Sequence, residues 1–400
     1  MKVLILTADY YAQLGGKFTH ILMLKSGLEG LGHSVDVVFP KRTALNALVV
    51  SGVGKMLDPF GFGVFYRQKA IGNILRCALR RYLRKNKPDI INTEDIIAFS
   101  VATSIKFSVP KVLTVHGELA QEMESARHIK HKFEKQLFLD AEKKSYEEAD
   151  YIVAVDTRLK NHVADLAPLS KGRIEIIQNF IDVISFSRKI ELLDKEAIKK
   201  ELGISPSMRV ILVPRRLVLK CGVIYAVQAM EILKTRYGRT DLLLLIVGVG
   251  PEKNNILSYI SDHNLQPSVM LIDGAEYGRM PGFYKISDLV LVPSINVKGY
   301  KEATSLSVIE AMAARVPVIA SDIGGLSEMI ENGTTGILVE ERLSEDIASN
   351  IIRLLEHKDL ADSITSVAFD YVSRNHSNES AARRFAGIFD SEIKKNERTQ

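Results

Sequence analysis

Leu242-Leu243-Leu244-Leu245-Ile246-Val247-Gly248-Val249-Gly250-Pro251 is the longest apolar run of the chain, and it ends in a Gly-x-Gly-Pro turn. With no polar residue at alternate positions, it reads as a strand buried on both faces. Such strands build parallel sheets covered by helices on both sides. The run is about half of what a bilayer-spanning helix needs. Working outward from it, similar short runs alternate with longer amphipathic stretches, and the pattern predicts strands over 3–7, 35–39, 90–92, 112–115, 152–155 and 174–177. A second series follows over 210–213, 242–247, 269–272, 289–292, 318–320 and 336–339. The fold class is α/β, with two doubly wound Rossmann-like domains expected to face a central cleft. There, helix N-termini and the carboxyl ends of strands would favour a phosphorylated ligand. The expected division is an N-terminal domain over 1–184, a charged linker over 185–207 that lacks a strand, a C-terminal domain over 208–375, and a terminal helix over 376–400 returning to the N-terminal domain.

The 400 residues, 46% hydrophobic and 25% charged, suffice for two cores and exclude a disordered chain. Cys77 and Cys221 have no metal-ligand spacing and form no disulfide framework; both are expected as small packed side chains in a reducing, cytoplasmic setting. Residues 1–8 read as a strand opening a domain rather than as a signal peptide. The net charge of +5 is unevenly spread, because residues 41–88 carry eleven Lys and Arg against the single acidic Asp58. Within that segment Ile71, Ile74, Leu75, Ala78, Leu79 and Tyr82 share one helical face, with Lys69, Arg76, Arg80, Arg84 and Lys87 opposite. An apolar glycine-rich stretch, 59–65, precedes it. Two readings stand: a packed helix with a solvated basic side, or a basic patch over 67–87 docking on an anionic membrane. Nothing in the charge pattern points to nucleic acid.

Several loops carry chemistry. Gly15-Gly16 leads through Lys17, Phe18 and Thr19 to His20 at the start of an apolar-periodic helix, so the backbone there can approach a phosphate closely. His20 itself is expected on the helix surface. Thr114-Val115-His116-Gly117 places His116 at the carboxyl edge of a strand, where it could bond a phosphate or a sugar hydroxyl as readily as the backbone. Arg215, Arg216 and Lys220 are three cations within six residues at another strand end, fit to neutralise a diphosphate or to stand in a solvated basic turn. Gly248 and Gly250 keep side chains out of the turn after 242–247. Finally, Glu302-Ala303-Thr304-Ser305-Leu306 runs into a helix on which Leu306, Ile309, Ala313 and Val316 take core spacing, placing Glu310 in an apolar turn. A buried carboxylate needs partners, and its two oxygens suit the vicinal diol of a ribose. Glu302, ahead of the helix, could bind hydroxyls of a second sugar or lie on the surface.

Together these residues resemble the retaining, nucleotide-sugar-dependent glycosyltransferases of family 4, which have the GT-B fold. The signposts are Gly15-Gly16 to His20, Thr114-x-His116-Gly117, Asn179 to Asp182 with Phe186, Arg216-Leu217, Gly248-x-Gly250-Pro251, Ser287-Asp288-Leu289, Pro293-Ser294, the Glu302/Glu310 pair, and Gly324-Gly325 with Glu328. They fall in the expected order over roughly residues 1–340. The resemblance implies hexosyl transfer from a nucleoside diphosphate sugar, UDP- or GDP-linked, to a glycan or lipid-linked acceptor in polysaccharide or glycoconjugate synthesis. It implies no metal and no cofactor beyond the donor substrate. Arg216 and Lys220 would hold the diphosphate, Glu310 the ribose, Glu302 and the amides of Thr304, Ser305 and Leu306 the donor sugar, Gly15 and Gly16 the phosphates, and His116 would lie by the sugar and acceptor. Cations and dipoles around the departing diphosphate would supply much of the rate. The chain departs from the family pattern at Arg215, where glycine is usual, at Lys220, four rather than five residues after Arg216 with Cys221 in the lysine's place, at Ala303-Thr304-Ser305-Leu306 instead of Pro-Phe-Gly-Leu, and at Arg315, where glycine is common. A GT-B nucleotide-sugar epimerase and a non-catalytic nucleotide-sugar binding protein share the same donor residues.

Overall fold

A computed structural model describes residues 1–9, 16–41, 43, 46, 48–58, 62–125, 129 and 132–399. It contains two compact units. The first comprises residues 1–179 and 378–400, the second residues 180–377. Each holds a six-stranded sheet whose pairings are all parallel.

In the first unit β1 (Lys2–Leu6), β2 (Ser34–Val38), β3 (Ile90–Thr93), β4 (Lys111–Val115), β5 (Tyr151–Ala154) and β6 (Ile174–Ile176) take the order β2-β1-β3-β4-β5-β6. In the second, β7 (Arg209–Val213), β8 (Leu242–Val247), β9 (Val269–Ile272), β10 (Leu289–Val292), β11 (Val318–Ser321) and β12 (Ile337–Val339) take the order β12-β11-β10-β7-β8-β9. All twelve expected strands are present. The strand order reverses between β1 and β3 and between β7 and β10, and loops leaving the strands at such points diverge and open a crevice.

The opening run behaves as its composition dictates. Leu243, Leu245 and Val247 of β8 enter one core with Val210 and Leu212 of β7, while Leu242, Leu244 and Ile246 enter another with Ile211 and Val213. Alternate side chains leave opposite faces of a strand, so a helix layer on each side requires every position to be apolar.

Two expectations change here. The stretch 185–207 is not a linker: helices Val183–Glu191 and Lys195–Glu201 occupy most of it, and Phe186, Ile190 and Ile204 are buried in the core of the second unit. Their N-terminal amides are capped by the carboxylates of Asp182 and Asp194, so the charge that suggested a linker is partly capping chemistry. Cys77 is exposed whereas Cys221 is buried. Arg315 takes φ 54°, the left-handed conformation that makes glycine common after a helix, and its guanidinium lies 3.7 Å from the centre of the Phe369 ring.

The terminal helix Asn378–Thr399 belongs to the first unit and packs on helix Gly16–Gly30. The approach is close because Gly27 lacks a side chain; a Cβ there would stand 2.6 Å from the carbonyl oxygen of Asn378. Helix Gly63–Leu83 buries Leu75 and Leu79 and exposes Lys69 and Arg80, with Arg76 bonded to Asn73 and Ser104, and Arg84 just past its end is exposed. Among the described residues no helix is long and apolar enough to cross a membrane.

Candidate active site

Beyond β7 the chain passes through Pro214 to Arg215, and the loop after β8 runs directly against it. A Cβ on Gly248 would meet the carbonyl oxygen of Arg215 at 1.9 Å, so only glycine allows this approach. The Arg215 side chain is buried, and its guanidinium bonds four side chains. It donates to Glu302 Oε2 at 2.6 Å, to the Ser294 hydroxyl after β10 at 3.0 Å, to the Ser305 hydroxyl at 3.0 Å, and to Cys221 Sγ at 3.5 Å. Lys220 approaches the same Glu302 oxygen at 3.9 Å, bonds the Tyr300 hydroxyl at 3.3 Å and lies over the Tyr300 ring. Burial alone would push the Glu302 carboxyl up, but the Arg215 and Lys220 cations outweigh it and hold it down at about 2. Glu302 is therefore a buried, ionised carboxylate and not a surface glutamate. Its Oε1 makes no hydrogen bond among the described residues.

Of the cations expected to hold a diphosphate, Arg216 is exposed and makes no hydrogen bond or ion pair among the described residues. Lys220 is mostly buried. Arg215, which stands where glycine was usual, is the residue that organises the cluster. Its importance was hidden because its partners lie at 294, 302 and 305.

Thr304 and Ser305 are buried and lead into helix Leu306–Ala313. The Ser305 carbonyl accepts from Val308 and Ile309, while the amides of Leu306 and Ser307 in the first turn have no acceptor among the described residues. Open amides at a helix start attract anions. One turn on, Glu310 is 5% exposed, as its spacing predicts, and its Oε2 accepts from the Tyr284 hydroxyl at 2.7 Å. Burial pushes this carboxyl up to about 7, partly offset by the Tyr284 bond. Its Oε1 makes no hydrogen bond among the described residues, so one oxygen is held and the other is available. Gly250 carries the turn beside Leu217, whose carbonyl oxygen a Cβ would meet at 2.2 Å.

The first unit builds a second polar cluster where its strand order reverses. Glu94 and Asp95 follow β3. Asp95 caps helix Ile96–Thr103 and also accepts from the Thr7 hydroxyl and the Ala8 amide beyond β1. Lys17 reaches Asp9 at 2.9 Å and Asp95 at 3.5 Å. Its burial disfavours the ammonium, but the two carboxylates prevail and its pKa lies above the usual value. His116, at the end of β4, bonds Glu94 Oε2 through Nε2 at 2.7 Å.

His20 is fully buried rather than on the helix surface. Its ring meets His116 edge to face at 4.6 Å and Phe385 of the terminal helix at 6.1 Å, and its Nδ1 pairs with the Asn179 side chain at 3.2 Å. The ligand atoms of His20, Glu94 and His116 gather within 4.8 Å of one another. His116 and Glu94 share a hydrogen bond at 2.7 Å, and His20 Nε2 stands 3.8 Å from the same Glu94 oxygen. Glu94 and Asp95 were not singled out from sequence; the signal available was a pair of acids directly after a short apolar strand. Gly16 begins its helix and is exposed, while Gly15 lies outside the described residues.

Comparison with known proteins bears on the family and the fold. Residues 194–369 match the model of glycosyl transferases group 1, and residues 14–184 match that of glycosyltransferase family 4. An uncharacterized glycosyltransferase of Methanocaldococcus jannaschii is 23% identical over 97% of this chain and 98% of its own length. The N-acetyl-alpha-D-glucosaminyl L-malate synthase of Bacillus anthracis is 29% identical, with the match spanning 61% of this chain and 60% of that enzyme. Among solved structures, the Anabaena protein HepE in complex with UDP and glucose superposes with a TM-score of 0.71 at 17% identity, covering 98% of this chain and all of that one.

Proposed function

This chain belongs to the group 1 glycosyltransferases of family 4 type with the GT-B fold, and from that membership we propose that it transfers a hexose from a UDP- or GDP-linked donor, with retained anomeric configuration and without a metal, to a glycan or lipid-linked acceptor. The observation that carries the donor assignment is the convergence in the second unit of Arg215, Arg216 and Lys220, the open amides of Leu306 and Ser307, and the buried Glu310 one turn later. The cations and the helix start match a diphosphate, and the half-occupied carboxylate matches a ribose diol. HepE, whose structure holds UDP and glucose, supports a nucleotide of this kind. Glu302, kept ionised with Oε1 available, would accept from a donor-sugar hydroxyl, and the resemblance assigns His116 to the sugar and acceptor.

A thermal-shift panel of UDP, GDP and ADP with their sugars tests the assignment, since a ligand at 100 times its Kd raises stability by about 2.7 kcal/mol. One nucleotide series is expected to raise the melting temperature, and its sugar to be slowly hydrolysed when no acceptor is present. Epimer formation would instead support the epimerase reading, binding with no conversion the binding-protein reading, and a panel without any shift would remove the donor site altogether.

The acceptor side of the reading is a cytoplasmic membrane face. Since helix Gly63–Leu83 turns its apolar side inward, that helix alone cannot insert. Just before it and in its first turn, however, Leu48, Met56, Phe62 and Phe65 are exposed, and the Phe62 ring lies 5.4 Å from that of the exposed Phe133. Residues 59–61 of this apolar stretch lie outside the described residues. Apolar side chains beside a basic helix suit an anionic bilayer surface. Co-sedimentation is expected with phosphatidylglycerol vesicles and to weaken with salt. Equal behaviour toward phosphatidylcholine alone would exclude the membrane contact.

A further inference from the structure

The hydrogen bond between His116 and Glu94 has a direction, and the direction decides what His116 offers a ligand. Nε2 of His116 is 2.7 Å from Glu94 Oε2, while its Nδ1 makes no hydrogen bond among the described residues. The other Glu94 oxygen accepts from the Asn92 side-chain amide at 2.6 Å, and the Thr114 hydroxyl in turn donates to the Asn92 carbonyl oxygen at 3.1 Å. This chain of bonds runs across the ends of β3 and β4 and fixes the carboxylate from behind. An imidazole is amphoteric only as a neutral ring, with one nitrogen donating and the other accepting.

We propose that Glu94 is a positioning residue for His116: by accepting from Nε2 its carboxylate holds the Nε2–H tautomer and leaves Nδ1 to accept a hydrogen bond from a ligand hydroxyl. That the hydroxyl belongs to a sugar rests on the transferase reading; the tautomer does not. When Glu94 takes up a proton, its own hydroxyl donates to Nε2, the single ring hydrogen moves to Nδ1, and His116 presents a donor instead. The charge balance is one proton gained, and it resides on Glu94.

The groups facing the pair set where this occurs. Burial raises the Glu94 carboxyl to about 7, opposed by His20, Lys17 and the Asn92 bond and reinforced by Asp95. Burial together with Lys17 pushes the His116 ring down to about 3, against the opposite pull of Asp9 and Asp95, so the ring stays neutral across this change. Burial likewise depresses His20, to about 4. The acceptor form of Nδ1 therefore prevails above about pH 7 and the donor form below it.

Nitrogen-15 NMR of histidine-labelled full-length chain reads the two tautomers directly and needs no substrate, which separates this inference from the donor assignment. With the His116 signals identified by their loss in His116→Asn, the wild type is expected to show an unprotonated Nδ1 at pH 8.5 and a protonated Nδ1 near pH 5.5. Glu94→Gln is expected to abolish the transition. Asn92→Ala, which removes a bond to the ionised carboxylate, is expected to move its midpoint upward, and this variant carries the test if Glu94→Gln does not fold. One fixed tautomer over the whole range in the wild type, the same transition in Glu94→Gln, or an unmoved midpoint in Asn92→Ala would overturn the proposal.

Discussion

Glu302→Ala is expected to cost the second unit about 3–5 kcal/mol of folding stability at pH 7, the cost of leaving a buried guanidinium without its counter-ion. Arg215 and Glu302 are both nearly inaccessible, so water cannot replace the missing partner. The carboxyl sits at about 2 in the folded chain, below its ordinary value of 4.5. A depressed acid stabilises the fold fully above its unfolded value and loses that contribution as pH falls toward the folded one. The stability difference between wild type and Glu302→Gln should therefore be about 3 kcal/mol at neutral pH and shrink between about pH 4.5 and 2. Urea unfolding at several pH values measures it. A difference that stays constant with pH would mean that Glu302 acts through shape and not through charge.

The second large effect concerns the nucleotide. Glu310→Ala is expected to weaken UDP or GDP binding by at least about 100-fold, since two hydrogen bonds to a charged group contribute about 1.5–3 kcal/mol each. The sign of its pH dependence follows from burial. The ionised form accepts both hydroxyls of a diol, and the carboxyl loses its proton near 7. Affinity should thus rise with pH through that value and level off above it. Glu310→Gln retains an acceptor for the Tyr284 hydroxyl and should fold, yet it lacks the titrating group. Subtracting its calorimetric pH profile from that of the wild type removes the ligand's own phosphate titration. Unchanged affinity in both variants would sink the ribose assignment.

Much of this was legible in the chain itself. Inner strands such as β7, β8 and β10 stand out because a strand buried on both faces must be apolar along its length, and the burial of Glu310 followed from helical spacing alone. The stretch 185–207 was misread because capping aspartates and surface charges resemble the composition of a linker, while its few apolar residues, Phe186, Ile190 and Ile204, carry the packing. His20 was misread for a related reason: one face of helix Gly16–Gly30 is covered by helix Asn378–Thr399, more than three hundred residues later.

The class of fold, the order of its strands along the chain and the positions of its candidate site loops are legible in the chain, since all of these follow from periodicity and turn chemistry within a few residues. Which charges meet depends on how the strands are arranged in space. Arg215 and Glu302 are 87 residues apart, and Glu94 and His116 are 22 apart. Strand order brings each pair together at a sheet's carboxyl edge, and a buried ionic bond depends on distance in space, which no local pattern encodes.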